Sequence, residues 1–363
     1  MKRENIREMN IIHIESGLGN QMLNYAEYLA VKSVTDAECY VETMLYDIPG
    51  CSEGISQWNG FELERIFGIN PPNIKDYIGE EAYSRVIEKV EKSRFWEKHW
   101  NYPPYIVAAL NDEGINVSAY RGELHLPALW MKCQQTEPYP KESMKHKIRV
   151  AAVSTYVGFM IQHWMAGMFR AKEIKRRNVK ENIFIGQLDN AFMGHCMGLM
   201  QRGSGIEAME QDLQKIFRFP DFNNPENLKL KELIQNSNSV SLHVRRGDFT
   251  ANDVCYKFGY FKRAVRLIKK NVVDPVFFVF SDPDSCEWCK ANLSELGLVS
   301  SDRIYYVNHN KGAESFRDMQ LMSLCKHNVI TKSSFGWWGA LLNANPNKIT
   351  CAPDPLMYST HTV

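Results

Sequence analysis

The sequence predicts an α/β protein of two domains, and three observations carry that expectation. At 363 residues the chain is long enough to bury two separate cores. From Ser239 onward, short apolar runs alternate with segments of helical periodicity, the pattern of a doubly wound, mainly parallel sheet. Near the start, the apolar run Asn10-Ile11-Ile12-His13-Ile14 passes through a glycine-containing turn into a helical pattern, which opens a second such sheet.

The elements follow in chain order. Met22, Leu23, Tyr25, Ala26, Leu29, Ala30 and Val34 recur at helical spacing, so a helix is expected to start near Asn20, with Asn20 as its cap, and to run to Val34. A strand is expected near Cys39–Val41, and Glu80–Lys92 reads as a charged helix. The proline-marked runs at Tyr102-Pro103-Pro104 and Glu137-Pro138-Tyr139-Pro140 bound an unusual middle region, about residues 100–190, expected to be lengthened and mainly helical. A second break lies at Phe219-Pro220 to Pro225. Helices are then expected at Leu228–Asn236, Tyr260–Lys270, from Ser285 toward Leu296, at Ser315–Cys325 and after Trp337. Strands are expected at Ser239, Val276–Phe280, Ile304, Val329 and Ile349. This organisation suggests an N-terminal domain over 1–236 and a C-terminal one over 237–363.

Three strand-to-turn segments concentrate the chemistry. In Ser239–Phe249, Val240, Leu242 and Val244 alternate with Ser241, His243 and Arg245, so His243 and Arg245 share a face. An arginine at the carboxyl end of such a strand offers a fork of donors suited to a diphosphate; the same pattern alone also describes a strand-end arginine in a surface ion pair. In Glu15–Met22, Gly17 and Gly19 let the backbone turn sharply before a helix whose amides can face an anion. Met22 takes the third glycine position of a dinucleotide fingerprint, so the segment also reads as a plain tight turn. In His327–Leu342, Ser333 and Ser334 sit where a helix cap belongs and form a second anion corner. Trp337 and Trp338 cannot share one helix face; either one lines a cleft, or both are wedged against the core.

The three segments Ser16-Gly17-Leu18-Gly19-Asn20-Gln21-Met22, His243-Val244-Arg245-Arg246-Gly247-Asp248-Phe249 and Ser333-Ser334-Phe335-Gly336-Trp337-Trp338-Gly339 together closely resemble the bacterial α-1,2-fucosyltransferases of glycosyltransferase family 11. Asn59–Ile69, Phe278–Asp282 and Asp318–Cys325 agree with them, so the resemblance covers about the first seventy residues and roughly the last hundred and fifty. It implies a GT-B architecture of two Rossmann-like domains, the C-terminal one binding GDP-β-L-fucose. It further implies inverting, metal-independent transfer to the 2-hydroxyl of a galactoside, on a galactose-terminated oligosaccharide or a lipid-linked glycan. Residue by residue, Arg245 would hold the pyrophosphate, Asn20 would lie near the fucose and the leaving group, and Asp282 would accept from the nucleoside. Ser333, Ser334 and Phe335 would close around phosphates and base, Gly17 and Gly19 would shape the turn, and His243 would orient a phosphate or a motif neighbour. The chain departs from the family where Ser16 replaces a glycine, where Gly336 replaces a more usual serine, and where Pro283 follows Asp282 in place of a second acid.

Charge builds on the leaving diphosphate, so a fixed guanidinium and helix amides supply the main help. A base for the acceptor hydroxyl could be Asp248, Glu15 or His13, although Asp248 reads first as a residue that orders the turn after Arg246. Asp282-Pro283-Asp284 formally matches a D-x-D metal motif, but Asp284 is expected in the first turn of a helix and Arg245 already offers the countercharge, so neither metal nor cofactor is expected.

A net charge of +1 argues against bulk electrostatic binding of nucleic acid. Nine cysteines without regular spacing fit free thiols in a reducing cytoplasm, which leaves the sequons at Asn116 and Asn292 as chance matches. Met1–Met9 is charged and unlike a signal peptide. The uncharged stretch Ala151–Phe169 is flanked by basic residues out to Arg177, and reads as a buried helix, as an interfacial helix giving peripheral contact with the inner face of a membrane, or as a poor spanning segment. Two rivals to the main reading stand: a fucosyltransferase of the same superfamily with a different linkage, and a non-catalytic relative that binds sugar nucleotides.

Overall fold

A computed structural model of the chain describes residues 9–33, 37–53, 59–97, 102–121, 129–131, 183–185, 210–247, 258–353 and 360–363, with scattered positions between 144 and 161. The chain divides into two compact units, Met1–Lys147 with Ala166–Ala208, and Ile148–Met165 with Met209–Val363.

The first unit is built on β1 (Met9–His13), an apolar strand buried at every position. Helix α1 (Leu18–Ser33) follows, and β2 (Glu38–Glu42) returns parallel to β1 with His13 opposite Glu42. Helix α2 (Glu80–Ser93) buries Tyr83, Val86 and Val90, and α3 (Pro103–Asp112) starts on Pro103 and Pro104, whose fixed φ suits a first turn. Both helices pack in one core with Met9 and Ile11 of β1. In the middle region, expected to be mainly helical, the described residues hold helix α3 and scattered helical positions between 144 and 161, together with three short strands. These are β3 (Ser118–Arg121), β4 (Leu129–Met131) and β5 (Ile183–Ile185), which extend the sheet in the order β2-β1-β5-β3-β4. The short run Ile183-Phe184-Ile185 is apolar throughout, as a strand paired on both sides needs to be.

In the second unit, α4 (Glu210–Ile216) and α5 (Pro225–Gln235) precede β6 (Asn238–Val244). Then come α6 (Tyr260–Asn271), β7 (Pro275–Ser281), α7 (Cys286–Ala291), β8 (Arg303–Val307), α8 (Phe316–Leu324), β9 (His327–Val329), α9 (Ser334–Leu341), β10 (Thr350–Ala352) and β11 (His361–Thr362). The sheet runs β11-β10-β9-β6-β7-β8, and every pairing is parallel. Numbered from β6, that is the doubly wound order 3-2-1-4-5-6, in which the chain reverses direction between β6 and β9. Two apolar clusters cover the sheet: Val240, Leu242, Phe277 and Val279 pack with α6, whereas Val276, Phe278 and Phe280 pack with α5 and α8. The fold-class expectation holds, with two α/β units each on a mainly parallel sheet.

The structure differs from the sequence expectation in three further places. The division at 208/209 puts α4 and α5 with the second unit instead of ending the first unit at 236. The cause is packing and polar bonding: Arg317 Nη1 and Gln320 Nε2 of α8 both donate to Pro220 O, at 2.8 and 2.9 Å, and Asn227 Nδ2 of α5 donates to Asn310 Oδ1 at 2.8 Å. The helix after Ser285 ends at Ala291, well short of Leu296. Helix α1 begins at Leu18, so Asn20 lies in its first turn, its N–H donating to Gly17 O at 2.9 Å, and is not the cap.

Candidate functional site

In a doubly wound sheet, ligands meet the carboxyl ends of the strands where the strand order reverses. In the second unit that point lies between β6 and β9, and the polar residues flagged in the sequence collect there. Apolar β6 carries His243 to its end, and Arg245 follows in the next turn. Arg245 Nη1 donates to Asp282 Oδ1 at 2.5 Å, while the amides of Arg246 and Gly247 donate to Asp282 Oδ2 at 2.7 and 2.8 Å. Asp282 follows neighbouring β7, so register alone brings the two strand ends together. Its expected partner was a nucleoside; its observed partners are the guanidinium and two amides of the arginine turn. The carboxylate therefore fixes the direction of the Arg245 fork, with a bond to one of the five N–H donors that a guanidinium carries. The same engagement weighs against Asp282 as half of a D-x-D metal pair, and Asp284 is exposed in the turn that follows.

His243 is buried, and its Nδ1 lies 3.1 Å from Thr331 Oγ1, in the loop after β9. Burial drives its pKa down to about 4 with help from the Arg245 charge, against an upward pull from Asp282, so the imidazole is neutral at pH 7. A neutral imidazole beside a fixed guanidinium positions its neighbours and adds no charge of its own. Gly336 seats this ring: a Cβ at 336 would lie 2.4 Å from His243 Nδ1, which accounts for glycine where the family favours serine. Ser333 is the N-cap residue of α9 but makes no side-chain capping bond. Ser333 and Ser334 are both buried, and the Phe335 ring centroid lies 6.0 Å from that of His243. Trp337 and Trp338 are both fully buried, edge to face at 4.7 Å between centroids, so neither lines a cleft. Arg246 stacks over Trp288 with Cζ 3.7 Å from the ring centroid.

The first unit has its own polar strand end. Ser16 adopts φ +71°, the left-handed region where the family has glycine. Its carbonyl accepts from Gln21 Nε2 at 2.9 Å and Tyr46 Oη at 2.8 Å, which holds the turn despite the side chain. Gln21 also donates to Gly60 O at 2.9 Å and accepts from Glu62 N at 2.8 Å, tying the glycine turn to the Asn59–Ile69 segment. Beneath it, His13 Nδ1 bonds the buried Glu42 carboxylate, His13 Nε2 lies 3.6 Å from Glu15 Oε2, and the ring stacks on Tyr102. Burial alone would lower the His13 pKa; the flanking Glu42 and Glu15 overcome it and raise it to about 9. His13 is thus a buried cation between two carboxylates, a poor proton acceptor at pH 7.

Asp248 lies outside the described residues. Sequence reasoning missed Thr331, Trp288, Tyr46 and Glu42. Thr331 stands inside a segment already singled out, whereas the others act through register and packing that a single sequence does not disclose.

This second unit is a doubly wound parallel sheet with an arginine anchored beside its switch point, the place where sheets of this order meet their ligands. Residues 206–360 match the model of glycosyl transferase family 11, the family that the motifs at 243–249 and 333–339 resemble. Curated relatives include an α-1,2-colitosyltransferase of Escherichia coli, 38% identical over 40% of this chain and 50% of its own length. Another is the O-antigen biosynthesis glycosyltransferase WbnK of Escherichia coli, 36% identical over 34% of this chain and 40% of its own. A human galactoside α-(1,2)-fucosyltransferase 1 is 29% identical over 28% of each chain. The chain thus spans half or less of the length of these relatives. Among solved structures, fucosyltransferase NodZ from Bradyrhizobium aligns at 11% identity with a TM-score of 0.44 over 92% of both chains, too distant to add to the fold already read from strand order.

Proposed function

We propose that the protein transfers L-fucose from GDP-β-L-fucose to the 2-hydroxyl of a galactoside, with inversion and without a metal. The observation that carries this reading is the Arg245 fork, aimed by Asp282 at the switch point of a sheet, within the stretch that the family 11 model matches. In the reaction the acceptor oxygen forms a bond to the anomeric carbon as the bond from that carbon to the β-phosphate oxygen breaks. GDP leaves with the electron pair, and the acceptor proton passes to a base or to water. Negative charge grows on the diphosphate, where a preorganised guanidinium is worth most. Arg245 supplies that countercharge, Ser333, Ser334 and Phe335 enclose the phosphates and base, and His243 with Thr331 keeps the two strand ends in register. Asn20, Gly17 and Gly19 keep the sugar-side role that the resemblance gives them, and Asp248 is a candidate base.

The 38% identity to a colitosyltransferase favours a second reading, in which the donor sugar lacks the 3-hydroxyl of fucose. The two separate by experiment. GDP release is followed from GDP-L-fucose and from GDP-colitose, with lactose as acceptor and EDTA present, and the product linkage is read by NMR. Acceptor-dependent release from GDP-L-fucose in EDTA, giving an α-1,2-fucosyl galactose, is expected. Release from GDP-colitose alone would move the assignment to the second reading, and a requirement for added metal would overturn the metal-free mechanism.

A further inference from the structure

We infer, on the reading that the donor is a nucleoside diphosphate sugar, that Lys332 is a second cation for its diphosphate, standing beside Arg245 at the switch point. Register places it there. Leu242 of β6 pairs with Val329 of β9, so three residues further along each chain Arg245 and Lys332 reach the same level past the sheet. On the other flank Val244 pairs with Ser281, which sets Asp282 at that level too, and the Arg245–Asp282 bond shows that the alignment persists beyond the strand ends. Asp282, Arg245 and Lys332 thus form a row across the carboxyl ends of β7, β6 and β9, where a sheet of this order meets its ligand.

Local structure fixes the backbone of Lys332 in that row. Its neighbour Thr331 has Oγ1 3.1 Å from Nδ1 of His243, two residues before Arg245, which ties the loop after β9 to the end of β6. Ser333 N donates to Thr331 O at 2.8 Å, so Thr331–Ser333 is a γ-turn with Lys332 at its centre, at the tip of the loop. Ser333 and Ser334 behind it are buried, whereas Lys332 is only half-buried, as a cation at the mouth of a site needs to be. Charge gives the lysine its purpose. Asp282 aims Arg245 but also offsets part of its field, and Arg246 is held over Trp288. A diphosphate gains negative charge as it departs, so an ammonium beside the Arg245–Asp282 pair raises the net positive charge where that growth occurs. Rotatable donors on a flexible stem also suit a phosphate whose oxygens shift during departure.

The test measures affinity for GDP and for guanosine, which lacks the diphosphate, in wild type, Lys332→Met and Lys332→Arg, with melting temperature followed alongside. Methionine keeps an unbranched stem and removes the charge. Lys332→Met should weaken GDP binding about tenfold or more and leave guanosine within about twofold, while Lys332→Arg keeps GDP within about threefold. Added salt should weaken GDP binding more in wild type than in Lys332→Met. Equal loss of GDP and guanosine in Lys332→Met would overturn the inference, because the lysine would then support the loop alone. Equal loss of GDP in the methionine and arginine variants would overturn it too, because charge would not be what the site reads. The donor reading is tested separately: wild type that binds guanosine as tightly as GDP would sink that reading and this inference together. A wild-type preference for GDP that Lys332→Met keeps in full would sink the role of Lys332 and leave the transferase reading standing.

Discussion

Four residues show how local chemistry shapes both strand ends. Ser16 holds φ +71° where the family uses glycine, a conformation costing an L-residue about 1–2 kcal/mol. Stability by urea unfolding should therefore rank Ser16→Gly at or above wild type and Ser16→Val below it by about 1–2 kcal/mol, because a β-branched side chain fits that region worst; equal stability of the valine variant would remove the argument. Gly336 meets the opposite constraint, space in place of φ. Gly336→Ala puts a methyl against His243 and should destabilise the fold by about 1–3 kcal/mol and weaken donor binding, measured by melting and calorimetry. The two buried histidines pull the pH dependence of stability in opposite directions. His13, raised from 6.5 to about 9, contributes fully below pH 6.5 and loses that contribution as pH rises through 9. His243, lowered from 6.5 to about 4, contributes fully above pH 6.5 and loses it as pH falls through 4. Unfolding measured across pH should show that His13→Gln reduces the alkaline loss seen in wild type and His243→Asn reduces the acid loss; unchanged slopes in both would contradict these assignments. At this scale the sequence named His243, Arg245 and Asp282, because strand periodicity and strand ends are local signals. It could not show that Asp282 faces Arg245, since that depends on β6–β7 register.

Among the elements, β7 and its helices best show what a sequence discloses. Val276–Phe280 reads as a continuous apolar run, as a parallel strand buried on both faces requires, and all five residues are buried. Phe278→Ala should cost about 3–5 kcal/mol in denaturant unfolding, since the ring lies at the core between α5 and α8; a loss under 1 kcal/mol would mean the strand is misassigned. Helices with strong apolar periodicity, such as α2 and α6, were legible nearly to the residue. The start of α1 was not: Asn20 looked like a cap, whereas the turn closes through Gly17 O, and only tertiary bonds to Ser16 O fix where the helix begins. In the middle region, three-residue strands such as β5 are too short to announce themselves, and their pairing is wholly non-local.

For the molecule as a whole, strand–helix alternation predicted two α/β units and the doubly wound C-terminal sheet, while the unit boundary came out too late. Pro220 and Pro225 mark a break in the sequence, but the polar network of Arg317, Gln320 and Asn227 decides which unit owns the segment, and no local signal carries that. The central claim is that an arginine anchored at the switch point neutralises a departing diphosphate. Its most direct test compares GDP release from GDP-L-fucose for wild type, Arg245→Ala and Arg245→Lys, with lactose as acceptor and melting temperature as the control for folding. Both variants should fold and lose about 10²–10³-fold in kcat/KM, lysine included, because a point charge cannot take the place of the fork that Asp282 orients. Folded Arg245→Ala enzyme that keeps activity within a few-fold of wild type would contradict the account.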